Sequence, residues 1–280
     1  MLEPTPTPAR PQRLRQVQEA LRFAEADWLW VPASADLLWL TGAHARETER
    51  MVLCALPAEG DAFLIAPRLE AAALATECPR FEVWAWEESE DPCAKLLART
   101  AVSGSSRVLL GEGLGVAQVL RIAARTQCEP AARLLGPLRA VKDEDELRWL
   151  EAAAAHADQI VEEAADLAEP GMTERAVARF ILSRFEALGD DHAWCIVASG
   201  ANSAHPHHAS GDRVLQPDDV LLLDLGASHQ GLQSDITRTF CLGEPSRHVG
   251  NVFTLVDEAR RCGIAAARSG ATAESVDRAV

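Results

Sequence analysis

Two β-type runs joined by a short polar link, spanning Val220–Phe240, constrain this chain more than any other stretch. The first run reads Val-Leu-Leu-Leu-Asp-Leu-Gly and the second Gln-Ser-Asp-Ile-Thr-Arg-Thr-Phe, with Ala-Ser-His-Gln-Gly-Leu between them. Strand-forming runs around a polar, Gly-containing link define a hairpin. Each run carries one aspartate, Asp224 and Asp235. A turn centred on His229-Gln230 sets the two directly opposite each other on one face, with Cβ atoms roughly 5 Å apart. Carboxylates that close repel, and a bound cation relieves the conflict. The hairpin therefore reads as part of a metal site. The plainer alternative is two solvent-facing carboxylates, which is disfavoured because Asp is depleted in strands and Asp224 ends a strongly apolar run.

The length of 280 residues allows a large core and sets an expectation of about two domains. A net charge of -15 argues against nucleic acid and anionic membrane as partners, since both require basic surface. Seven cysteines, an odd number at scattered spacings without a C-x-x-C pair, read as free thiols in a reducing compartment. The segment 1–12 is rich in Pro and Thr and has no apolar stretch of signal-peptide type. No run of about 18 apolar residues is present, so no membrane span is expected. A cytoplasmic location is the default expectation.

Prolines at 4, 6, 8 and 11 predict an irregular lead over residues 1–11, with Arg10, Arg13 and Arg15 marking a solvated helix start. Helical patterning follows at Leu14–Ala24, Leu69–Thr76, Pro92–Thr100 and Val116–Arg125. Strand patterning occupies Trp28–Val31, Met51–Leu56, Ala62–Ala66, Phe81–Trp86 and Arg107–Leu110. Strands alternating with helices predict an α/β sandwich with a partly parallel sheet. Gly111-Glu112-Gly113-Leu114-Gly115 lies between a strand and a helix but has neither the spacing nor the lysine of a phosphate loop, so it reads as a glycine turn. Gly136-Pro137 marks a boundary, giving domains 1–138 and 139–280. Asp143 and Glu146 then form a capping box for a long helix, Leu147–Ala168. Thr173 caps a second helix, Glu174–Leu188, which stops at Gly189. Trp194–Ala198 is a strand, Val249–Ala267 a helix, and Thr272 starts another.

The second cluster with chemical content is Ile196-Val-Ala-Ser-Gly-Ala-Asn-Ser-Ala-His-Pro-His-His, a loop after a strand that holds His205, His207 and His208. Such a loop reads equally as exposed histidines, as metal ligands, or as an acid beside a metal. These strings, with Leu-Leu-Asp-Leu-Gly-Ala and Ser-Asp-Ile-Thr-Arg-Thr-Phe, resemble the prolidase and aminopeptidase P branch of the pita-bread metallopeptidases. Arg139-Ala-Val-Lys-Asp-Glu-Asp-Glu-Leu, Pro170-Gly-Met-Thr-Glu and the early Leu38-Trp-Leu-Thr-Gly resemble the same family. The resemblance spans nearly the whole chain, weakly before residue 135 and strongly over 139–243.

The resemblance implies a mixed α/β (α+β) protein: a creatinase/prolidase-like α/β domain, then a pita-bread catalytic domain. It implies metal-dependent hydrolysis of Xaa-Pro bonds, as a dipeptidase or an aminopeptidase P, through a hydroxide bridging two divalent ions. Mn²⁺ is the first expectation, with Co²⁺ or Zn²⁺ as alternatives. By resemblance, Asp224 chelates one ion and Asp235 bridges both. His207, directly after Pro206, stabilises the scissile carbonyl. Thr237 lies one strand repeat beyond Asp235 on the same face and reads as the partner that orients a ligand. The implied substrate is a peptide with proline at P1′, and the implied assembly is a homodimer, with Trp84 and Trp86 weighed as interface anchors and read rather as packing residues. His205 and His208 receive no role.

Two departures qualify the resemblance. Gly231-Leu232 stands where the family has Gly-Tyr, and the chain contains no Tyr. The family's further ligands, one His and two Glu, find no match before Val280. His248, Glu258 and Glu274 lie on or at predicted helices and are not promoted to ligands. The expectation is a catalytic domain incomplete at its C-terminus, whose hairpin alone holds metal weakly or not at all. A non-catalytic pita-bread scaffold and a metal-free, creatinase-like hydrolase are the competing readings. Both aspartates argue against the latter.

Overall fold

A computed structural model describes residues 11–280. The irregular lead expected over residues 1–11 lies, apart from Pro11, outside the described residues. The chain divides into two compact units, Met1–Leu147 and Arg148–Val280.

The first unit runs α1 (Pro11–Phe23), β1 (Trp28–Pro32), α2 (Ala35–Thr41), β2 (Leu53–Pro57), β3 (Phe63–Pro67), α3 (Arg68–Glu77), β4 (Glu82–Trp86), α4 (Pro92–Thr100), β5 (Arg107–Leu110), α5 (Val116–Ala123), β6 (Gln127–Pro130) and α6 (Ala132–Ala140). Six strands form one sheet in the order β4-β3-β2-β1-β5-β6. The pairs β3·β4, β1·β5 and β5·β6 are parallel, and β1·β2 and β2·β3 antiparallel. This is the partly parallel sheet expected. The inner strands β1, β2 and β3 are apolar along their length because helices cover both faces, whereas the edge strand β6 is largely exposed. Leu29, Val31, Cys54 and Leu64 pack with Val17 and Leu21 of α1 and Leu37 and Leu40 of α2. Trp30, Leu53, Phe63 and Ile65 point the other way and pack with Leu96 of α4 and Ile122 of α5.

Three details refine the expectations. Gly136-Pro137 does not break the chain: α6 continues through both. Pro137 forfeits one helical hydrogen bond, and burial of Leu135 beside Leu134 and Leu138 against the core offsets the loss. Gly113 has φ of 104°, and a Cβ there would sit 3.2 Å from the Ala33 carbonyl oxygen, so the glycine-rich segment is a turn pressed onto the chain after β1. Trp86 is buried and donates to the Met51 carbonyl at 3.0 Å, while Trp84 stacks under Arg99 at 4.3 Å. Both tryptophans are packed within this unit.

The helix α7 (Glu144–Leu167) starts with the expected capping box. Asp143 Oδ1 accepts from the backbone N–H of Asp145 and Glu146, and Glu146 Oε2 accepts from the Asp143 N–H, all at 3.0 Å. The second unit continues with α8 (Glu174–Leu188), β7 (Asp191–Ser199), a 3₁₀ turn (Gly200–Ala204), β8 (Val220–His229), β9 (Leu232–Gln233), β10 (Ile236–Cys241), α9 (Arg247–Ala266) and α10 (Ala273–Ala279). Its antiparallel sheet has the order β10-β8-β7, with β9 also paired to β8. Leu221, Leu223, Leu225 and Ala227 of β8 pack with Ile160 and Ala164 of α7 and Val177, Ile181 and Phe185 of α8. The alternate residues of β8, Asp224 among them, lie on the opposite face. Among the described residues, no helix is long and apolar enough to cross a membrane.

Candidate metal centre

The hairpin register places the carboxylates. Ser228 pairs with Gln233, His229 with Leu232, Leu225 with Ile236 and Asp224 with Thr237. The turn is therefore Gln230-Gly231 rather than His229-Gln230. Both turn residues have left-handed backbone, with φ of 51° and 84°. This is the two-residue turn whose twist suits a hairpin, and glycine adopts it without steric cost. Direct opposition of Asp224 and Asp235 is thus corrected: Thr237 faces Asp224, and Asp235 sits on the diagonal. A shift of two positions preserves side-chain parity, so both carboxylates still share one face.

Asp235 lies at a break in the ladder. Ser234 N–H donates to the Ala227 carbonyl at 2.9 Å, but the Ala227 N–H turns to the Ser234 hydroxyl at 3.2 Å. The Ser234 carbonyl is left pressed against Gly226, where a Cβ would collide with it and would also meet the Trp194 ring at 3.0 Å. Glycine at 226 is what permits the bend that sets Asp235. Gly226→Ala is expected to destabilise the protein by about 2–3 kcal/mol through overpacking and to displace Asp235. Urea denaturation together with Mn²⁺ titration checks this, and a variant as stable as wild type would remove the argument.

Asp224 is half-buried; Asp235 and Thr237 are exposed. Thr237 Oγ1 donates to Asp224 Oδ1 at 2.7 Å. Among the described residues, neither aspartate has a cationic partner. Two acidic side chains on one face without a basic neighbour form a donor set suited to a hard or borderline divalent cation. Thr237→Val keeps the shape of the side chain but removes its donor. It is expected to weaken Mn²⁺ binding roughly 10- to 100-fold, measured by calorimetric titration.

The histidine loop is held from beneath by a residue whose sequence context marks only the start of a helix. Glu174, in the first turn of α8 behind the Thr173 cap, is fully buried. Its Oε1 accepts from Ser199 N–H and Ser199 Oγ at 2.8 Å and from Asn202 Nδ2 at 3.0 Å. Its Oε2 lies 2.7 Å from His208 Nε2 and accepts from Gly211 N–H at 3.2 Å. Burial pushes the carboxyl up, but the hydrogen bonds from His208, Asn202 and Ser199 outweigh it and hold the group at about 2. Arg213 closes the base of the loop by gripping both carboxylate oxygens of Asp219, at 2.6 and 3.0 Å. His208 is therefore the loop's anchor. His205 and His207 project exposed, with no side-chain hydrogen bond or ion pair among the described residues. Asn202 shapes the loop through Glu174. Sequence offered one signal for the carboxylate, an acidic residue at a helix start, which a capping preference explains equally well.

All seven cysteines are free, and burial pushes the Cys195 thiol up to about 11. That thiol is a packing group rather than a nucleophile.

Comparison with known proteins agrees with this architecture. Residues 13–141 match the creatinase/prolidase N-terminal domain, and residues 148–280 match metallopeptidase family M24. The probable dipeptidase PepE of Mycobacterium bovis is 34% identical over 284 aligned positions, covering 96% of this chain and 73% of that protein. Among solved structures, dipeptidase PepE from Mycobacterium ulcerans superposes with a TM-score of 0.85 at 30% identity, covering 96% of this chain and 74% of that one. The prolidase from Thermococcus sibiricus superposes with a TM-score of 0.83 at 29% identity, covering 90% and 71%.

Proposed function

We propose, from the premise that this chain belongs to metallopeptidase family M24 and carries a creatinase/prolidase N-terminal domain, that it hydrolyses Xaa-Pro bonds in short peptides. The same-face carboxylates of Asp224 and Asp235, without a cationic partner among the described residues, carry the reading. They would hold divalent cations from the hairpin side, and an oxygen-rich donor set favours Mn²⁺. When bound, two such cations supply Lewis acidity and make water acidic enough to attack at neutral pH. The dipeptidase and prolidase among the relatives support the substrate class.

The chain's own residues then do the positioning. Thr237 fixes one oxygen of Asp224 and so the direction of its remaining lone pairs. Glu174 fixes the loop through His208, Ser199 and Asn202, and this presents His207 from an anchored base. In this reading His207 donates a hydrogen bond to the oxyanion that develops on the scissile carbonyl. A prolyl bond has no N–H to donate, so its recognition depends on ring shape and on the carbonyl that His207 meets.

The test compares Ala-Pro, Ala-Leu and Ala-Pro-Ala as substrates of the full-length protein supplied with Mn²⁺. Turnover of Ala-Pro well above Ala-Leu supports the reading, and the tripeptide separates dipeptidase from aminopeptidase action. Equal turnover of Ala-Leu, or none of any substrate, would contradict it.

A further inference from the structure

The hairpin has a second face with chemistry of its own. β8 turns Asp224 to one side and His229, by parity, to the core side with Leu225 and Ala227. There His229 Nδ1 lies 2.8 Å from Asp190 Oδ1, and His156 Nδ1 of α7 lies 2.8 Å from Asp190 Oδ2. The two imidazole rings meet edge to face with centroids 5.2 Å apart. Three elements therefore converge: α7, the hairpin tip, and the junction after α8. At that junction Gly189 takes a left-handed φ of 79°, and the Asp190 N–H returns to the Phe185 carbonyl.

The Asp190 side chain is 1% exposed, whereas the rings of His156 and His229 are 22% and 23% exposed. Among the described residues, no lysine or arginine pairs with Asp190. A buried carboxylate is retained when a positive charge accompanies it. Imidazole supplies that charge only when protonated. A divalent cation supplies it at neutral pH.

The geometry admits one. The three donor atoms lie within 4.8 Å of one another. Ligand atoms around a tetrahedral Zn²⁺ sit roughly 3.3 Å apart, so side-chain shifts of less than about 1 Å reach that arrangement. The exposed ring edges leave solvent access for a water as a fourth ligand. Each Nδ1 would give its lone pair to the cation, and each ring would carry its proton on Nε2. Two imidazole nitrogens and one carboxylate oxygen select a borderline ion such as Zn²⁺, Co²⁺ or Ni²⁺ over Mg²⁺ or Ca²⁺. The all-carboxylate face of Asp224 and Asp235 has a different preference.

We propose that His156, Asp190 and His229 form a second divalent-cation site, of the Zn²⁺ type, which pins the tip of the β8 hairpin to α7 on the face opposite Asp224. The site is structural, and it stands or falls independently of the peptidase reading. None of its residues lies within four positions of Asp224 or Asp235 in sequence.

The test is Zn²⁺ uptake by metal-stripped protein, measured by equilibrium dialysis and elemental analysis, in wild type, D224N/D235N and H156Q/H229Q. The expected result is one Zn²⁺ per chain retained by D224N/D235N, with a rise in Tm of roughly 5 °C at saturating Zn²⁺. In the quadruple variant, D224N/D235N/H156Q/H229Q, both are lost. No zinc uptake by D224N/D235N, or undiminished uptake by the quadruple variant, would overturn the proposal. A readout free of substitutions is anomalous scattering at the zinc edge from Zn²⁺-soaked wild-type crystals. A peak between the three side chains supports the site, and its absence there overturns it even if the histidine variants fail to fold.

Discussion

Asp235→Asn is expected to lower kcat/KM for Ala-Pro by at least about 10³-fold, the equivalent of about 4 kcal/mol of transition-state stabilisation. The substitution keeps the size and one oxygen of the side chain and removes its charge. Asp235 is exposed at the ladder break and makes no side-chain hydrogen bond among the described residues, so the fold does not depend on it. Its Tm should move by less than about 2 °C. That pairing of large kinetic and negligible thermal effect distinguishes a metal ligand from a structural residue. Steady-state kinetics at fixed Mn²⁺, beside a thermal melt, checks both halves. Activity within a few-fold of wild type would remove Asp235 from the site.

Glu174→Gln should behave in the opposite way and lose stability first. The buried carboxylate serves Ser199, Asn202, His208 and Gly211 together. An amide presents its own N–H groups to donors that need an acceptor, and the cost is about 3–5 kcal/mol. The loop bearing His207 loosens with it, so kcat falls even at temperatures where the variant stays folded. The same carboxylate predicts the acid limb of stability. Its folded value is about 2 against 4.5 for the unconstrained group. A depressed value means the contribution is fully present above about pH 4.5 and is lost as pH falls from there towards 2, amounting to about 3 kcal/mol. Urea midpoints between pH 6 and pH 3 measure this. In Glu174→Gln that part of the acid dependence should be missing, and an unchanged pH profile in the variant would contradict the assignment.

Much of the second unit was legible because its signals are local. The capping box at Asp143 and Glu146, the Thr173 cap, the Gly189 stop and the apolar alternation of β8 each act within a few residues. The face shared by Asp224 and Asp235 was legible for the same reason. Their register was not. It depends on whether His229-Gln230 or Gln230-Gly231 forms the turn, and Gly231 decides that through a backbone conformation which apolar patterning does not encode. The helix α6 was hidden behind Gly136-Pro137 because packing of Leu135 outweighs local propensity. The anchoring role of Glu174 depends on donors 25 to 37 positions away. The contacts of Asp190 with His156 and His229 span 34 and 39 positions. No spacing rule brings such residues together; only the folded sheet does.

The most direct test of the central claim is chelation and reconstitution with Ala-Pro as substrate, on wild type and D224N/D235N side by side. Wild-type turnover should fall to background with chelator and return on adding Mn²⁺, while the double variant stays inactive at every Mn²⁺ concentration. Turnover that survives chelation in wild type, or that Mn²⁺ restores in D224N/D235N, would contradict the placement of the metal centre on this hairpin.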